Sequence, residues 1–358
     1  MSSRPPLSGP SVWLGKDMVA SPRWLRELDS RVLEEIAIAL QAAKQRQLRW
    51  DQVRREDFAT PAIVALMEDV AEELENGSGI VKIRTLPVEK YSDADLRLLY
   101  FGLGCVLGRP VFQNPRGELM RDIRDEGGDL GKRYGQIDTK DGTGPFLSSY
   151  ARTLSNGKLR FHTDRTDVVG LLCVRQAASG GISKLVSTGA IHNALLQRRP
   201  DILETLFQDF WRSRLGEESD KAETVYPLPI FGLREGKLTS HYSLTYIEAA
   251  QMVAAVPKLT ALQKEAIELL MATAEELSFE MVLEPGDIQF INSHVTYHGR
   301  TEFTDDPQNR KDRLLLRLWL SMPNCRALPV GQEVLWGNIE AGEKRGGIGQ
   351  RPAPPSHA

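Results

Sequence analysis

Cysteine is scarce in this chain of 358 residues: Cys105, Cys173 and Cys325 stand far apart, in no CxxC spacing. That excludes a disulfide framework and a cysteine-based zinc site, and it fits a reducing cytoplasm. Long apolar runs are missing too. None approaches the roughly 20 residues of a membrane span, and Met1-Ser-Ser-Arg-Pro-Pro lacks the apolar core of a signal peptide. Charge of one sign is not in excess: the net charge of −3 gives no electrostatic reason to expect nucleic acid or an anionic membrane as partner. Histidine is sparse, with six residues, so any imidazole cluster must draw on few positions.

What remains has the make-up of a water-soluble globular protein, with 41% hydrophobic and 26% charged residues. Residues 1–20 read as a loose arm. Ser21-Pro22 reads as a helix start, with Trp24, Leu28, Val32, Ile36 and Leu40 striping a helix to about Lys44. Thr60-Pro61 opens a second helix that Asn76-Gly77-Ser78-Gly79 ends, and Ser92 caps a third through Leu107. Between them, residues 80–86 alternate as a strand. Residues 111–149 have little periodicity, which marks a functional loop such as a lid.

From Leu159 the pattern turns to short strands. Val168–Arg175 and Ile182–Ser187 flank Ser179-Gly180-Gly181 and read as a hairpin. Helices follow near 189–197 and 200–208, then strands near 226–232 and 237–243. Thr260 and Gln263 form a capping box for a helix to about Glu276. Strands resume at 279–283, 287–292 and 314–321. The fold expected is α+β: a double-sheet jelly roll with helices outside and an N-terminal helical extension. The organisation expected is an N-terminal arm and helices (1–79), a jelly-roll domain (80–325) and a C-terminal tail (326–358). The extra N-terminal helices offer a surface for a homo-oligomer.

The chemistry centres on Arg160-Phe161-His162-Thr163-Asp164. On a strand, residues two apart share a face, so one short segment aims an imidazole and a carboxylate at one ion. A third ligand must come from elsewhere. His298, beside Gly299 and just past the 287–292 strand, is the candidate, and His294 is its rival. Two histidines and a carboxylate on one face leave three positions open, which suits non-haem Fe(II) oxygenases. Arg313 is placed to grip a carboxylate with its planar fork, and Ser183 follows the glycine turn. Arg317 competes with Arg313, an even step along the same strand. For the substrate, Phe161 and Arg165 flank the ligands, His241 lies on a strand that could line a channel, and Tyr297 adjoins His298. Arg121 and Arg124 lie in the long loop and His192 in a helix, with surface and structural readings at least as good.

These motifs resemble those of the taurine/2-oxoglutarate dioxygenase (TauD/TfdA) family. Phe161-His-Thr-Asp164 is similar to its H-x-D strand and His298-Gly-Arg300 to its distal histidine motif. Ser183, after the turn, resembles the hydroxyl position that binds 2-oxoglutarate, where threonine is more usual. Arg313 matches the arginine that holds the far carboxylate. The resemblance spans about residues 80–325. It implies Fe(II) on His162, Asp164 and His298, with 2-oxoglutarate as cosubstrate and O2 as oxidant. It also implies hydroxylation or oxidative cleavage of a small polar, carboxylate-bearing substrate, with succinate and CO2 released. Two alternatives stay open at this point: a zinc-dependent hydrolase at the same three residues, and a non-catalytic protein that binds metal or 2-oxoglutarate.

Overall fold

The computed structural model describes residues 4–21, 23–139, 144–217 and 224–349. Its core is eight strands: β1 (Ile80–Arg84), β2 (Leu159–His162), β3 (Val168–Arg175), β4 (Ser183–Ser187), β5 (Phe279–Met281), β6 (Ile288–Asn292), β7 (Thr296–Arg300) and β8 (Leu314–Ser321). One sheet runs β1-β6-β3-β8, extended at its edges by Leu25–Glu27, Arg109–Pro110 and Met120–Ile123. The facing sheet runs β5-β4-β7-β2. This is the expected jelly roll, with helices on both outer faces.

The larger sheet is buried on both sides, and the sequence of its strands follows from that. Leu172, Phe290 and Leu318 pack outward against α1 (Ser30–Gln45), α2 (Pro61–Asn76) and α3 (Asp93–Leu107). Their neighbours Val169, Ile291, Leu315 and Trp319 point between the sheets. With apolar neighbours on each side, β3 and β8 show no alternation. The smaller sheet covers its outer face with α4 (Thr188–Arg198), α5 (Pro200–Leu206), α6 (Leu244–Gln251) and α7 (Ala261–Leu277).

Several expectations need correction. The first long helix starts at Ser30, where the Asp29 side chain accepts from Val32 N at 2.8 Å. Leu25 instead pairs in the sheet; Pro22, half of the expected start signal, lies outside the described residues. The N-terminal segment is docked, with Trp13 buried and its Nε1 donating to Ser78 O at 2.8 Å. β3 and β4 are not a hairpin: they lie in opposite sheets, and the glycine turn carries the chain across. That crossing needs glycine. Gly180 and Gly181 have φ of +72° and +69°, and a Cβ on Gly180 would meet Glu302 O at 2.1 Å.

The strand Thr296–Arg300 was not foreseen; His298 sits in its middle, not beyond the end of β6. The hairpin strand Asp209–Ser213 and helix α6 also escaped the sequence pattern. Within 111–149, Met120–Ile123 pairs with β8 along Leu315–Leu318. Residues 326–349 pack into the body, burying Leu335, Trp336, Arg345 and Ile348. Among the described residues, no helix is long and apolar enough to cross a membrane.

Candidate active site

The pairing of β7 with β2 sets His298 directly opposite His162. A close approach makes this possible: a Cβ on Gly299 would lie 2.9 Å from Leu159 O. The two imidazole rings stand 4.2 Å apart at 47°. Asp164, two residues past His162, turns its carboxylate to the same point. His162 Nε2 is 3.8 Å from Asp164 Oδ1, and His298 Nε2 is 3.9 Å from Asp164 Oδ2. Ligand atoms of all three lie within 4.8 Å of one another. These separations are too long for hydrogen bonds and leave space for an ion between three buried groups.

The protonation states suit metal binding. His162 Nδ1 lies 2.8 Å from Arg160 O, so that nitrogen carries the proton and Nε2 presents its lone pair. Burial, with His162 beside it, pushes the His298 imidazole down to about 3. Burial likewise lowers His162. For Asp164, burial alone would raise the carboxyl, but Arg317, the two histidines and Trp319 outweigh it and hold it below its ordinary value. Trp319 Nε1 donates to Asp164 Oδ2 at 3.0 Å, and Arg317 Nη1 lies 3.8 Å from the same oxygen.

Behind the triad, a small cavity runs between the sheets, lined among others by Ser183, Gln289, Arg300, Arg313 and Arg317. Arg313 is 6% exposed, and its Nη1 has no partner among the described residues. Arg300 donates to Ser155 O and Gly157 O, its Nε also unpartnered. Burial pushes Arg300 down to about 9 and Arg313 to about 10, and the charge of Arg313 adds to the fall of Arg300. Two buried guanidiniums with no ion pair among the described residues are costly unless an anion joins them. Arg317 stands differently, bonded through Nε to Gln113 Oε1 at 2.7 Å and close to Asp164.

The other expected site residues fall in three places. Phe161 and Tyr297 alternate with the histidines and so face the opposite side, packed among the outer helices; Tyr297 Oη meets Ser240 Oγ at 2.5 Å. His294 is tied on both nitrogens, to Thr239 Oγ1 at 2.7 Å and Asp167 Oδ1 at 2.9 Å, and takes no part in the triad. His192 is held in α4 beside Asn193. His241 lies next to the triad, its Nδ1 2.9 Å from Thr163 Oγ1, and Arg165 Nε donates to Leu335 O. Arg121 is buried on Glu118 and Glu126. Arg300, Gln289 and Trp319 were assigned no role from sequence. Arg300 had a signal, an even step from His298 on a strand; Gln289 and Trp319 had none, since only the packing of the sheets turns them inward.

Comparison with known proteins identifies the family and the fold. The family model described as "Taurine catabolism dioxygenase TauD, TfdA family" matches residues 44–319, so the likeness reaches back into the N-terminal helices, further than the motifs alone indicate. FR-33289 synthase of Streptomyces rubellomurinus (strain ATCC 31215) is 30% identical over 344 residues, 93% of this chain and 95% of that protein. The taurine hydroxylase-like protein SAT17 of Stachybotrys chartarum (strain CBS 109288 / IBT 7711) is 28% identical over 87% of this chain and 79% of its own. Among solved structures, asparagine oxygenase in complex with Fe(II), 2S,3S-3-hydroxyasparagine and succinate superposes with a TM-score of 0.63 at 21% identity, covering 84% of this chain and 94% of that one. The non-haem iron oxygenase OrfP with Fe and α-ketoglutaric acid gives 0.57 at 16% identity, covering 83% and 94%.

Proposed function

The chain belongs to the TauD/TfdA dioxygenase family, and from that premise we propose that His162, Asp164 and His298 hold its Fe(II) while Arg313 and Ser183 hold the far carboxylate of 2-oxoglutarate. The enzyme is a non-haem iron, 2-oxoglutarate-dependent dioxygenase acting on a small molecule. Iron, 2-oxoglutarate and O2 together supply oxidising power, with succinate and CO2 as coproducts of substrate oxidation.

The protein's own groups do the positioning. Arg160 O fixes the His162 tautomer, and Trp319 orients the Asp164 carboxylate. Neutral imidazoles and an ionised carboxylate make a donor set fit for Fe(II). Arg313 offers an unpartnered donor at the cavity's inner end, and Ser183 lines the same cavity. Arg300, next to it, adds positive potential. The single observation that carries the reading is this pairing of an open His/Asp/His face with two buried guanidiniums behind it that form no ion pair among the described residues. A zinc hydrolase has no need for the second half of that arrangement, and a protein without turnover is not what the family match favours. We further place the enzyme in the cytoplasm, in line with its free cysteines.

The test is spectroscopic. Mixed anaerobically with Fe(II) and 2-oxoglutarate, the protein should give the weak visible charge-transfer band of the chelate. Full metal loading without that band would count against the assignment.

A further inference from the structure

A cleft of about 680 Å³ opens between the end of α3, the edge strand Arg109–Pro110 and residues 344–349. It shares no lining residue with the cavity behind the triad. Its size is that of a small-molecule site, roughly 300–1,000 Å³. Phe101, Val111 and Ile348 line it as buried residues, and the half-buried Phe112 and Leu119 add apolar wall. The side from Gly346 to Ile348 is pinned in place. Gly347 N donates to Arg165 O at 2.7 Å, and Ile348 N to Phe112 O at 2.8 Å. Gly346 and Gly347 both have φ of +72°, and a Cβ on Gly347 would meet Val111 Cβ at 2.8 Å. The cleft is therefore a preformed feature of the fold.

The free charge at the cleft is of one sign. Arg54, Arg55, Arg109 and Lys344 line it with exposed side chains, and none of them has an ion pair among the described residues. Three are steadied by main-chain carbonyls instead. Arg54 Nη1 donates to Asp51 O at 3.2 Å and to Val53 O at 3.1 Å, Arg55 Nη1 donates to Val106 O, and Arg109 Nη1 donates to Gly342 O at 3.3 Å. Such bonds place a guanidinium without neutralising it. The one carboxylate that lines the cleft among the described residues, Asp51, is engaged by Arg49 through bonds of 3.0 and 2.6 Å. Burial pushes the Cys105 thiol up to about 12, so it adds no negative charge. Four unpaired cations thus border one apolar cleft in a chain whose net charge is −3. Apolar surface rimmed by polar groups marks a ligand site, and the ligand that satisfies both parts of this one carries an apolar body and a negative charge.

We propose that this cleft is a second ligand site, separate from the catalytic cavity. It takes an amphipathic organic anion whose apolar body lies against Phe101, Phe112 and Leu119 and whose charged group meets Arg54, Arg55, Arg109 and Lys344. The proposal goes beyond the dioxygenase reading and does not depend on it, since none of the proposed iron or 2-oxoglutarate residues lines the cleft.

The probe is anilinonaphthalene sulfonate, whose fluorescence rises when its rings leave water, and its neutral counterpart is phenylnaphthylamine, which lacks the sulfonate. The full chain is titrated with each, anaerobically, with and without saturating Fe(II) and 2-oxoglutarate. A single equivalent of the sulfonate should bind, about tenfold or more tightly than the neutral compound, with the same affinity in both states. Decanoate should displace it, and acetate at the same concentration should not. Arg109→Gln combined with Lys344→Gln should weaken the sulfonate about fivefold or more; both side chains are exposed, so the fold does not rest on them. Arg54→Gln, also exposed, repeats the test from the other side of the cleft. The absence of binding, equal affinity for the neutral compound, or displacement by acetate as readily as by decanoate would overturn the proposal. So would release by Fe(II) and 2-oxoglutarate, which would place the probe in the catalytic cavity, or unchanged affinity in the charge variants.

Discussion

Two buried histidine–aspartate groups lie three residues apart on the chain and behave in opposite ways. At Asp164 the nearest histidine nitrogens are 3.8 and 3.9 Å away. At Asp167 every gap is closed. His294 Nε2 is 2.9 Å away, Arg345 Nε donates at 2.7 Å, and Met322 N donates at 2.9 Å. The first group brings its ligand atoms within 4.8 Å of one another without hydrogen bonds between them. The second uses its hydrogen-bonding capacity within the protein and ties the segment around Arg345 to the sheet. The comparison shows that burial and residue type do not identify a metal face; unfilled spacing between ligand atoms does.

The largest difference should appear in turnover. Asp164→Ala is expected to lower kcat by a factor on the order of 1,000 or more, since it removes a ligand of the reacting centre. Asp167→Asn should leave the anaerobic 2-oxoglutarate band in place yet cost the fold about 3–5 kcal/mol, because it strands Arg345 in the interior. Urea denaturation alongside metal-loaded kinetics checks both. Equal stability losses in the two variants would erase the distinction.

Arg313→Met carries the same contrast to the inner end of the cavity. It should raise the KM for 2-oxoglutarate about 100-fold, the value of a charge-assisted pair. In ligand-free protein it should leave the melting temperature unchanged or raise it, since a buried, uncompensated cation beside Arg300 is removed. A clear loss of ligand-free stability would mark Arg313 as a structural residue like Arg345.

The smallest effect is on pH. The folded His298 imidazole sits near 3 against an ordinary 6.5, so between those values the unfolded chain binds the extra proton. Stability from this group is therefore present above about pH 6.5 and is lost as pH falls through that window. Metal-free wild type should lose melting temperature from pH 7.5 to 5 more steeply than His298→Asn. Parallel curves would show that the imidazole is not held neutral by burial.

Much of the molecule was legible in the chain because it depends on local rules. Ser92 and Thr260 cap their helices as read, and α2 runs from Pro61 to Asn76. The first long helix was misplaced because Trp24, Leu25 and Leu28 continue its apolar stripe, although Asp29 supplies the cap. The β3–β4 hairpin was misread because a glycine turn does not say whether the chain folds back in its own sheet or crosses to the other. Phe161 and Tyr297 adjoin the ligands in sequence, and for that reason strand alternation turns them away.

By itself, the sequence determined which chemical groups were available. It has few histidines, one His-x-Asp pair, a His-Gly-Arg segment, and arginines an even step apart on the last core strand. Their order along the chain was enough to indicate an iron and 2-oxoglutarate chemistry. Only the tertiary structure decided which of those groups meet. The register of β7 on β2 puts His298 across from His162, and the packing of the two sheets turns Arg313 and Arg300 into one cavity. It also closed His294 into hydrogen bonds and left His241 Nε2 without a partner among the described residues. The reason is physical: ligand identity is a property of the residue, but coordination needs lone pairs aimed at one point, and contacts between distant strands set that aim.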